Sequence, residues 1–412
     1  MKRHVYPLLV ILLFQVYSPP SLADSPSDWV TEGKVFGEVR YRYEQVTQDG
    51  LAQDASANTI RGNIGFETGV YKDLKGLIEI QAIRHLGNDG FNDTTNGKIT
   101  YPVVADPEST EFNQGWISWS GLPNTELKIG RQKIVLDNQR FVGPVGWRQN
   151  DQTFDAGTVI FNPLENLNIS YSYLWNINRV FGEHSPLPDY TGDNHLIHST
   201  YTFRNWLKVA AYGYFLDIEQ TPALSSNTFG SQLTGNIKLS DDWKFQYLAE
   251  YAYQRDGDDN PVSLSESYFH LNAGLSWKTL TISGGVESLG GNGVNAFQTP
   301  LATGHAFNGW ADKFLVTPVG GLEDAYGGVS YKLEGIGNLV DGIKADVIYH
   351  DFKAENSSMN YGTEWDFQIG KTFKIDSIVL KEWTISAKYA DYNTDGFLTD
   401  TNKFWLMMGI KF

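Results

Sequence analysis

The chain consists of short segments in which apolar and polar residues alternate. In residues 167–177 (LNISYSYLWNI) apolar side chains occupy every second position, and mostly serine and asparagine lie between them. A period of two is the repeat of a β-strand, whose side chains point alternately to opposite faces, whereas a helix repeats every 3.6 residues. The same alternation recurs at 35–44, 245–253, 343–350, 364–369 and 404–412. The pattern therefore predicts an all-β fold.

The connections between these segments distinguish a membrane barrel from a soluble β-sandwich. About 18 segments can be counted, and short turns such as SGLPNT and LSDDW alternate with long polar stretches. The long stretches are 85–111, 133–153, 178–193, 217–229 and 289–322. Short turns at one rim and long loops at the other are typical of bacterial outer-membrane barrels. A soluble two-sheet protein could show the same alternation, but it would not need aromatic residues on one face throughout.

We therefore predict a transmembrane, antiparallel, up-and-down β-barrel of about 18 strands, with short periplasmic turns and long extracellular loops. Closure pairs every strand edge, which the hydrocarbon requires because no water is available there to pair a free N–H or C=O group. The predicted strand centres lie near residues 39, 64, 80, 116, 129, 158, 172, 199, 211, 234, 249, 272, 284, 328, 347, 367, 387 and 408. Tryptophans near segment ends are expected to form the rings at the two membrane interfaces. These are Trp29, Trp119, Trp206, Trp243, Trp277, Trp383 and Trp405.

The first 23 residues have the features of a cleaved export signal. Lys2 and Arg3 precede an apolar run from Leu8 to Phe14, and Ser21-Leu22-Ala23 is a small-x-small cleavage site. A membrane anchor is the alternative, but the run is much shorter than the roughly 20 residues that a spanning helix needs. We expect a signal peptide at 1–23, a barrel domain at 24–412 and localisation in the outer membrane.

Composition excludes several other classes of function. The chain has 32 Lys and Arg residues against 48 Asp and Glu residues, so it lacks the clustered positive charge that nucleic acid requires. No cysteine is present, and therefore neither a disulfide framework nor a thiolate metal site can form. His195 and His198 would lie on opposite faces of a strand and could not hold one metal ion together. We expect no cofactor and no metal.

The function of such a barrel depends on the side chains that face its lumen. Strand periodicity places charges of both signs there, among them Glu38, Glu79, Lys128, Asp155, Lys208, Glu250, His270, Glu287, His350, Glu364, Asp366 and Lys388. Two roles are open for these residues: they wet the channel and pair across strands, or a subset binds a charged solute weakly and repeatedly. Arg40, Arg42 and Arg61 are the best placed for the second role, since they share the inward face of the first two strands.

Residues 127–156 form a locally basic segment in an acidic protein. Its candidate pathway residues are Arg131, Lys133, Arg140 and Arg148, opposed only by Asp137 and Asp151 before the chain returns at Asp155. A guanidinium suits carboxylate recognition because its planar fork donates two hydrogen bonds at once. These arginines could equally brace the loop against acidic wall residues, and the sequence leaves both roles open.

A second long loop, residues 297–318 (FQTPLATGHAFNGWADKFLVTP), is unusually aromatic. Phe307, Trp310 and Phe314 are too large and apolar for a freely solvated loop, so we expect packing in the barrel mouth or within the loop. Asn308, Asp312 and Lys313 would supply its polar contacts. The rings could also stack on sugars.

Two stretches resemble the alginate-export family of outer-membrane proteins. They are GRQ at 130–132 followed by WRQNDQTFDA at 147–156, and TPLATGHAFNGWADKFLVTPVGGLEDAY at 299–326. The resemblance implies an 18-stranded monomeric barrel with an arginine-rich pore that passes the polyanion alginate. Arg131 matches the GRQ motif of that family.

Together these features predict a non-enzymatic outer-membrane channel, embedded in lipid, for anionic saccharides or small organic anions. The alternative is a barrel enzyme, or a surface-binding barrel, with a closed lumen. Glu364 and Asp366 share a strand face, but no partner arrangement marks a glycosidase.

Overall fold

The computed structural model describes residues 25–87, 89–257, 259–375, 377 and 379–412. The predicted signal peptide lies outside the described residues. A short helix, α1 (Asp28–Thr31), precedes eighteen antiparallel strands. The strands are β1 (Lys34–Gln48), β2 (Ala55–Glu67), β3 (Leu74–His85), β4 (Ser109–Leu122), β5 (Thr125–Gln132), β6 (Thr153–Leu164), β7 (Leu167–Asn178), β8 (Asp189–Arg204), β9 (Leu207–Leu216), β10 (Ser226–Lys238), β11 (Trp243–Asp256), β12 (Ser265–Trp277), β13 (Leu280–Leu289), β14 (Leu322–Lys332), β15 (Lys344–Lys353), β16 (Asn360–Lys374), β17 (Glu382–Thr394) and β18 (Thr401–Lys411).

The sheet closes on itself. Each strand pairs with its neighbours in sequence, and β1 pairs with both β2 and β18, so that Glu38 lies opposite Asn63 on one side and Lys411 on the other. Every one of the predicted strand centres falls inside a strand. The prediction of a closed, antiparallel, 18-stranded barrel is confirmed.

The outer face carries an apolar band between two aromatic rings. On β11, Trp243 near one end and Tyr253 near the other are both exposed on this face. Their separation of ten residues corresponds to about 33 Å along the strand, or about 25 Å across a membrane at a tilt of roughly 40°. That height is the hydrocarbon thickness that outer-membrane barrels cover. The protein is therefore built as a transmembrane barrel of the outer membrane.

Tyrosines on the outer face of the barrel donate hydrogen bonds from their hydroxyl groups to side chains of neighbouring strands. The Tyr41 hydroxyl donates to Asn58 Oδ1 at 2.8 Å, and the Tyr389 hydroxyl donates to Asn402 Oδ1 at 2.8 Å. A ring with an apolar body and a satisfied polar tip suits the boundary between lipid and water.

Loop lengths differ between the two rims as the sequence predicts. Two-residue turns follow β4, β6, β8 and β12, whereas residues 86–108, 133–152 and 290–321 form long loops at the opposite rim. In the part of the chain that the structure describes, no helix is long and apolar enough to cross a membrane.

Two of the long loops fold back into the barrel and fill part of it. Phe141 and Val142 from the β5–β6 loop (residues 133–152) and Phe297 and Phe314 from the β13–β14 loop (residues 290–321) belong to one buried apolar cluster. Wall side chains of β6 to β18 complete the cluster, including the fully buried Trp405. The expectation that Trp405 lies in a membrane ring is therefore wrong, because its strand position faces inward, where a loop covers it.

Candidate functional site: the constriction inside the barrel

The two inward loops are joined to each other through their main chains. Gly143 N–H donates to Leu301 C=O at 2.9 Å, and Thr303 N–H donates to Gln139 C=O at 3.0 Å. The Gln152 side chain then donates to Leu301 C=O at 3.1 Å. Buried main-chain groups must be paired, and here each loop supplies partners for the other. The loops therefore form one unit, which narrows the lumen.

Arginines of the first two strands hold the β5–β6 loop by its carbonyl oxygens. Arg40 donates to Gly146 C=O at 2.8 Å, to Gln149 Oε1 at 3.0 Å and to the carbonyl of Arg148. Arg42 donates to the carbonyl of Trp147 and to Asp106 Oδ2 at 3.1 Å.

Arg61 continues this row one strand further on. It pairs with Glu38, with Asp151 Oδ1 at 3.5 Å and with Gln149 C=O at 3.5 Å. The cluster predicted from the sequence is therefore present, and its guanidinium groups serve mainly to anchor the loop.

Arg140 and Arg148 of the same loop are buried and fully engaged. Arg140 donates to Glu287 Oε1 at 2.5 Å, to Thr299 Oγ1 at 3.1 Å and to Asn308 Oδ1 at 3.0 Å. Arg148 lies 3.4 Å from Glu44 and 3.1 Å from Asp312. Burial lowers the pKa of both arginines, but the facing carboxylates outweigh that effect and raise it. Of the two roles that the sequence left open, these contacts correspond to bracing the loop.

Carboxylates of β16 hold the β13–β14 loop by its amide groups. Trp310 N–H donates to Asp366 Oδ2 at 3.2 Å, and Ala311 N–H donates to Glu364 Oε1 at 2.7 Å. Gly309 makes this approach possible, since its φ is +82° and a Cβ there would meet the Glu364 carboxylate at 2.5 Å. The wall thus binds carbonyl groups of one loop and amide groups of the other.

The other expected packing residues of the β13–β14 loop face inward. Phe314 packs against Phe352 with ring centroids 4.6 Å apart, and Phe307 lies under the Arg140 guanidinium at 4.9 Å.

Polar residues of this loop contact the wall. Lys313 donates to Thr401 Oγ1 at 2.8 Å. Asn308 donates to Glu287 Oε2 at 2.7 Å, and Asp312 accepts from Lys403 at 3.1 Å. These contacts agree with the expectation that the loop packs inside the barrel mouth.

The basic side chains that are partly exposed to solvent inside the lumen are not the buried Arg140 and Arg148. The exposed fractions of the side chains of Lys133, Lys208 and Lys128 are 27%, 31% and 22%. Arg40 is also only half-buried. Lys133 contacts Asp151 at 2.8 Å, and Lys208 contacts Asp137 at 3.4 Å. A solute that passes the two loops can reach these four groups.

Arg131 and Asp155 do not face the lumen. They pair with each other at 2.7 Å, and their positions share the strand face of the lipid-exposed Ile129 and Val159. The inward neighbours in the same strands are Gln132 and Phe154, both buried. The prediction that Arg131 and Asp155 line the pathway is therefore wrong. Both lie near the loop rim, where water meets both faces and polarity no longer indicates the inward side.

Charge pairing fixes the ionisation of the loop carboxylates. Burial raises the pKa of Asp151, but Lys133 and Arg61 outweigh burial and bring it to about 2. For Asp312 burial acts in the same direction, and Lys403, His305 and Arg148 together hold its pKa well below the usual range. Both groups are therefore charged near neutral pH.

Several residues of the site are not recognisable from sequence. Asp106 pairs with Arg42 from a different long loop, and Gln149, His305 and Lys403 act through contacts within the loops, between them and with the wall. Alternation could have placed Lys403 and Asp324 on the inward face, but it carries no information about which loop reaches them. Among the described residues, no group of three or more His, Asp or Glu side chains could hold a metal ion.

Comparison with known proteins identifies the fold. No protein-family model matches the chain, and no curated protein matches it. OccAB2 of Acinetobacter baumannii has a similar solved structure, with a TM-score of 0.72 at 15% identity over 93% of this chain and 99% of that chain. OpdK of Pseudomonas aeruginosa, solved with vanillate, gives a TM-score of 0.71 at 14% identity over 93% of this chain and 99% of that chain.

OccK9 (OpdG) of Pseudomonas aeruginosa gives a TM-score of 0.72 at 15% identity, covering 93% of this chain and all of that one (100%). At this level of identity the similarity concerns the fold. The resemblance to the alginate-export family is therefore supported as far as an 18-stranded outer-membrane barrel, but these solved neighbours are Occ and Opd proteins and not alginate exporters.

Proposed function

We propose that the protein is a monomeric outer-membrane channel that passes small organic anions through the lumen beside the two inward loops. The observation that carries the proposal is the set of half-buried cations Arg40, Lys133, Lys208 and Lys128 in the lumen, where Arg140 and Arg148 of the β5–β6 loop are buried. Cations that stay solvated while partly neutralised bind an anion weakly enough to release it.

The two joined loops support a small solute. Because the loops are joined to each other and anchored on both sides of the barrel, they leave little space in the lumen for a bulky polymer to pass. The structure of OpdK with vanillate, an aromatic carboxylate, favours small carboxylates as the solute class. Export of alginate remains the competing proposal, because it rests on the resemblance of two loop segments.

Ion selectivity in planar bilayers tests the channel. Reversal potentials under a salt gradient should report anion preference, and Lys133→Gln combined with Lys208→Gln should reduce that preference by about twofold or more. Arg131→Gln is the control, since it removes a positive charge from the outer face, one of the two removed in the lumen variant, and should leave selectivity unchanged.

Current block distinguishes the solutes. Small aromatic carboxylates should block the open channel in a concentration-dependent way, and alginate oligomers should not. Block by alginate oligomers alone would favour the exporter. A folded protein that never opens would instead support the alternative of a barrel with a closed lumen.

A further inference from the structure

A lysine ammonium lies where both loops meet the wall. Lys388, on the inward face of β17, is only 6% exposed, and its Nζ lies 3.6 Å from the centre of the Trp310 ring and 4.3 Å from the centre of the Trp147 ring. A third indole, that of Trp405 on β18, lies 5.7 Å away. The three rings come from the β13–β14 loop, the β5–β6 loop and the wall, respectively.

The fourth partner of Lys388 is a histidine from the loops. Lys388 Nζ lies 2.8 Å from His305 Nε2, while His305 Nδ1 lies 2.8 Å from Asp312 Oδ1. A neutral imidazole that donates from Nδ1 to the carboxylate and accepts at Nε2 from the ammonium satisfies both contacts. Burial, followed by the nearby Lys388 charge, lowers the pKa of His305 well below its usual value, in agreement with that neutral form.

The Trp147 ring also contacts His305 and Arg42. The His305 ring stacks on it with centroids 3.7 Å apart and planes 4° from parallel, and the Arg42 guanidinium lies 4.3 Å from its centre. Trp147 and His305 belong to different loops, so their stack is a direct contact between them. Lys388 touches both members of that stack and also Trp310.

We propose that Lys388 is the positioning residue of the constriction: its ammonium, enclosed by Trp147, Trp310 and Trp405 and bonded to His305, fixes the two loops against each other and against the wall. A cation over indole faces is attracted by the ring quadrupole, most strongly where water is excluded. Without the charge, the Trp147–His305 contact loses its support and the loops separate, which widens the channel. The widening rests on the proposed function, whereas the position of the loops does not.

The experiment uses the absence of cysteine in the chain, since one introduced thiol is then a unique probe. Ala311→Cys places it at a 2% exposed position of the β13–β14 loop, and Val316→Cys places it at a 71% exposed position of the same loop as a reference. Each variant is labelled with a membrane-impermeant thiol reagent. The labelling rate at Ala311→Cys divided by the rate at Val316→Cys measures how readily the loop detaches from the barrel wall.

The expected result is that Lys388→Met raises this ratio about tenfold, the factor that corresponds to losing about 1.4 kcal/mol of anchoring. Lys388→Gln, which keeps an N–H donor but no charge, should behave like Lys388→Met. Lys388→Arg should restore the low ratio, because a guanidinium also stacks on indoles. Lys278→Met is the matched control, since Lys278 also lies over a tryptophan, Trp277 at 5.3 Å, but in the two-residue turn between β12 and β13 at the opposite rim.

Heat-modifiable migration on gels confirms that each variant is a folded barrel, and the Gln variant replaces the Met variant if the latter does not fold. An unchanged ratio in both neutral variants would overturn the proposal, and so would an equal rise in the Arg variant, which would indicate a role in packing only. A raised ratio in a protein that never conducts would uphold the role of Lys388 and contradict the channel. An anion-selective channel with an unchanged ratio would uphold the channel and contradict the role of Lys388.

Discussion

The guanidinium of Arg148 lies 3.1 Å from the carboxylate of Asp312, and the two residues come from different loops. Each has a second partner on the wall, Glu44 for Arg148 and Lys403 for Asp312. The four groups form a buried chain of alternating charge that runs from β1 through both loops to β18. Removal of Asp312 leaves Lys403 buried without its carboxylate partner and leaves Arg148 paired with Glu44.

We expect Asp312→Asn to loosen the joined loops, while the eighteen strands still pair into a closed β-sheet. Breaking a buried ion pair costs about 3–5 kcal/mol, because the remaining charge stays desolvated. Single-channel recordings should show a larger and noisier conductance. Asp241→Asn is the control, since it breaks a fully solvated pair with Lys238 at a periplasmic turn and should change nothing. An unaltered conductance in Asp312→Asn would mean that the loops are held by their apolar contacts alone.

Gly309→Ala tests the contact between amides and carboxylates on β16. The new methyl group would meet the Glu364 carboxylate in a left-handed backbone, so we expect a loss of about 1–3 kcal/mol in the anchoring of the loop. Gly293→Ala is a close control: its φ is +85°, but the nearest atom would lie at 3.9 Å. Protease sensitivity of the loop should rise in the first variant much more than in the second. Equal sensitivity would show that backbone strain alone is responsible.

The pKa of Asp151 predicts a channel that is insensitive to mild acid. Its pKa is lowered from 3.8 to about 2, so its contribution to loop anchoring is complete above about pH 4 and is lost as the pH falls through about 2. Conductance should therefore stay constant from pH 7 to 4 as far as Asp151 determines it. Asp151→Asn should increase anion preference already at pH 7, since Lys133 and Arg61 each lose one of their two carboxylate partners. A wild-type response centred near pH 5 would assign the anchoring to another group.

The outer face should tolerate charge at the loops and not in the apolar band. Ile80 is exposed in the middle of β3. We expect Ile80→Arg to destabilise the folded barrel by about 2–4 kcal/mol. Ile99→Arg in a long loop adds the same charge at a 79% exposed position and should be neutral. Urea titration in lipid vesicles measures both. Equal tolerance would contradict the assignment of this face to lipid.

The strands could be predicted from the sequence because each obeys one local rule, the alternation of two environments along a period of two. Leu167 to Ile177 illustrate the rule. The rule fails where both faces of a strand meet water. Asp155 lies beyond the apolar band, so its polarity did not identify its face. Trp405 fails for the opposite reason, because a loop makes one patch of the inner wall apolar.

The constriction depends on contacts that no local pattern encodes. Arg40 and Arg42 were recognised as inward cations, but their partners are carbonyl oxygens more than a hundred residues away in sequence. Main-chain acceptors carry no sequence signature. Lys388 was placed on the inward face without any sign of the three indoles that surround it, since two of them arrive on loops.

Anchoring the loops by their peptide groups has a consequence for how such a channel can diversify. The carbonyls that the β1 and β2 arginines hold, and the amides that Glu364 and Asp366 hold, exist whatever side chains the loop residues carry. Side chains that face the solute can then be exchanged one at a time while the loop stays anchored to the wall. A new substrate preference therefore does not require a new way of narrowing the pore.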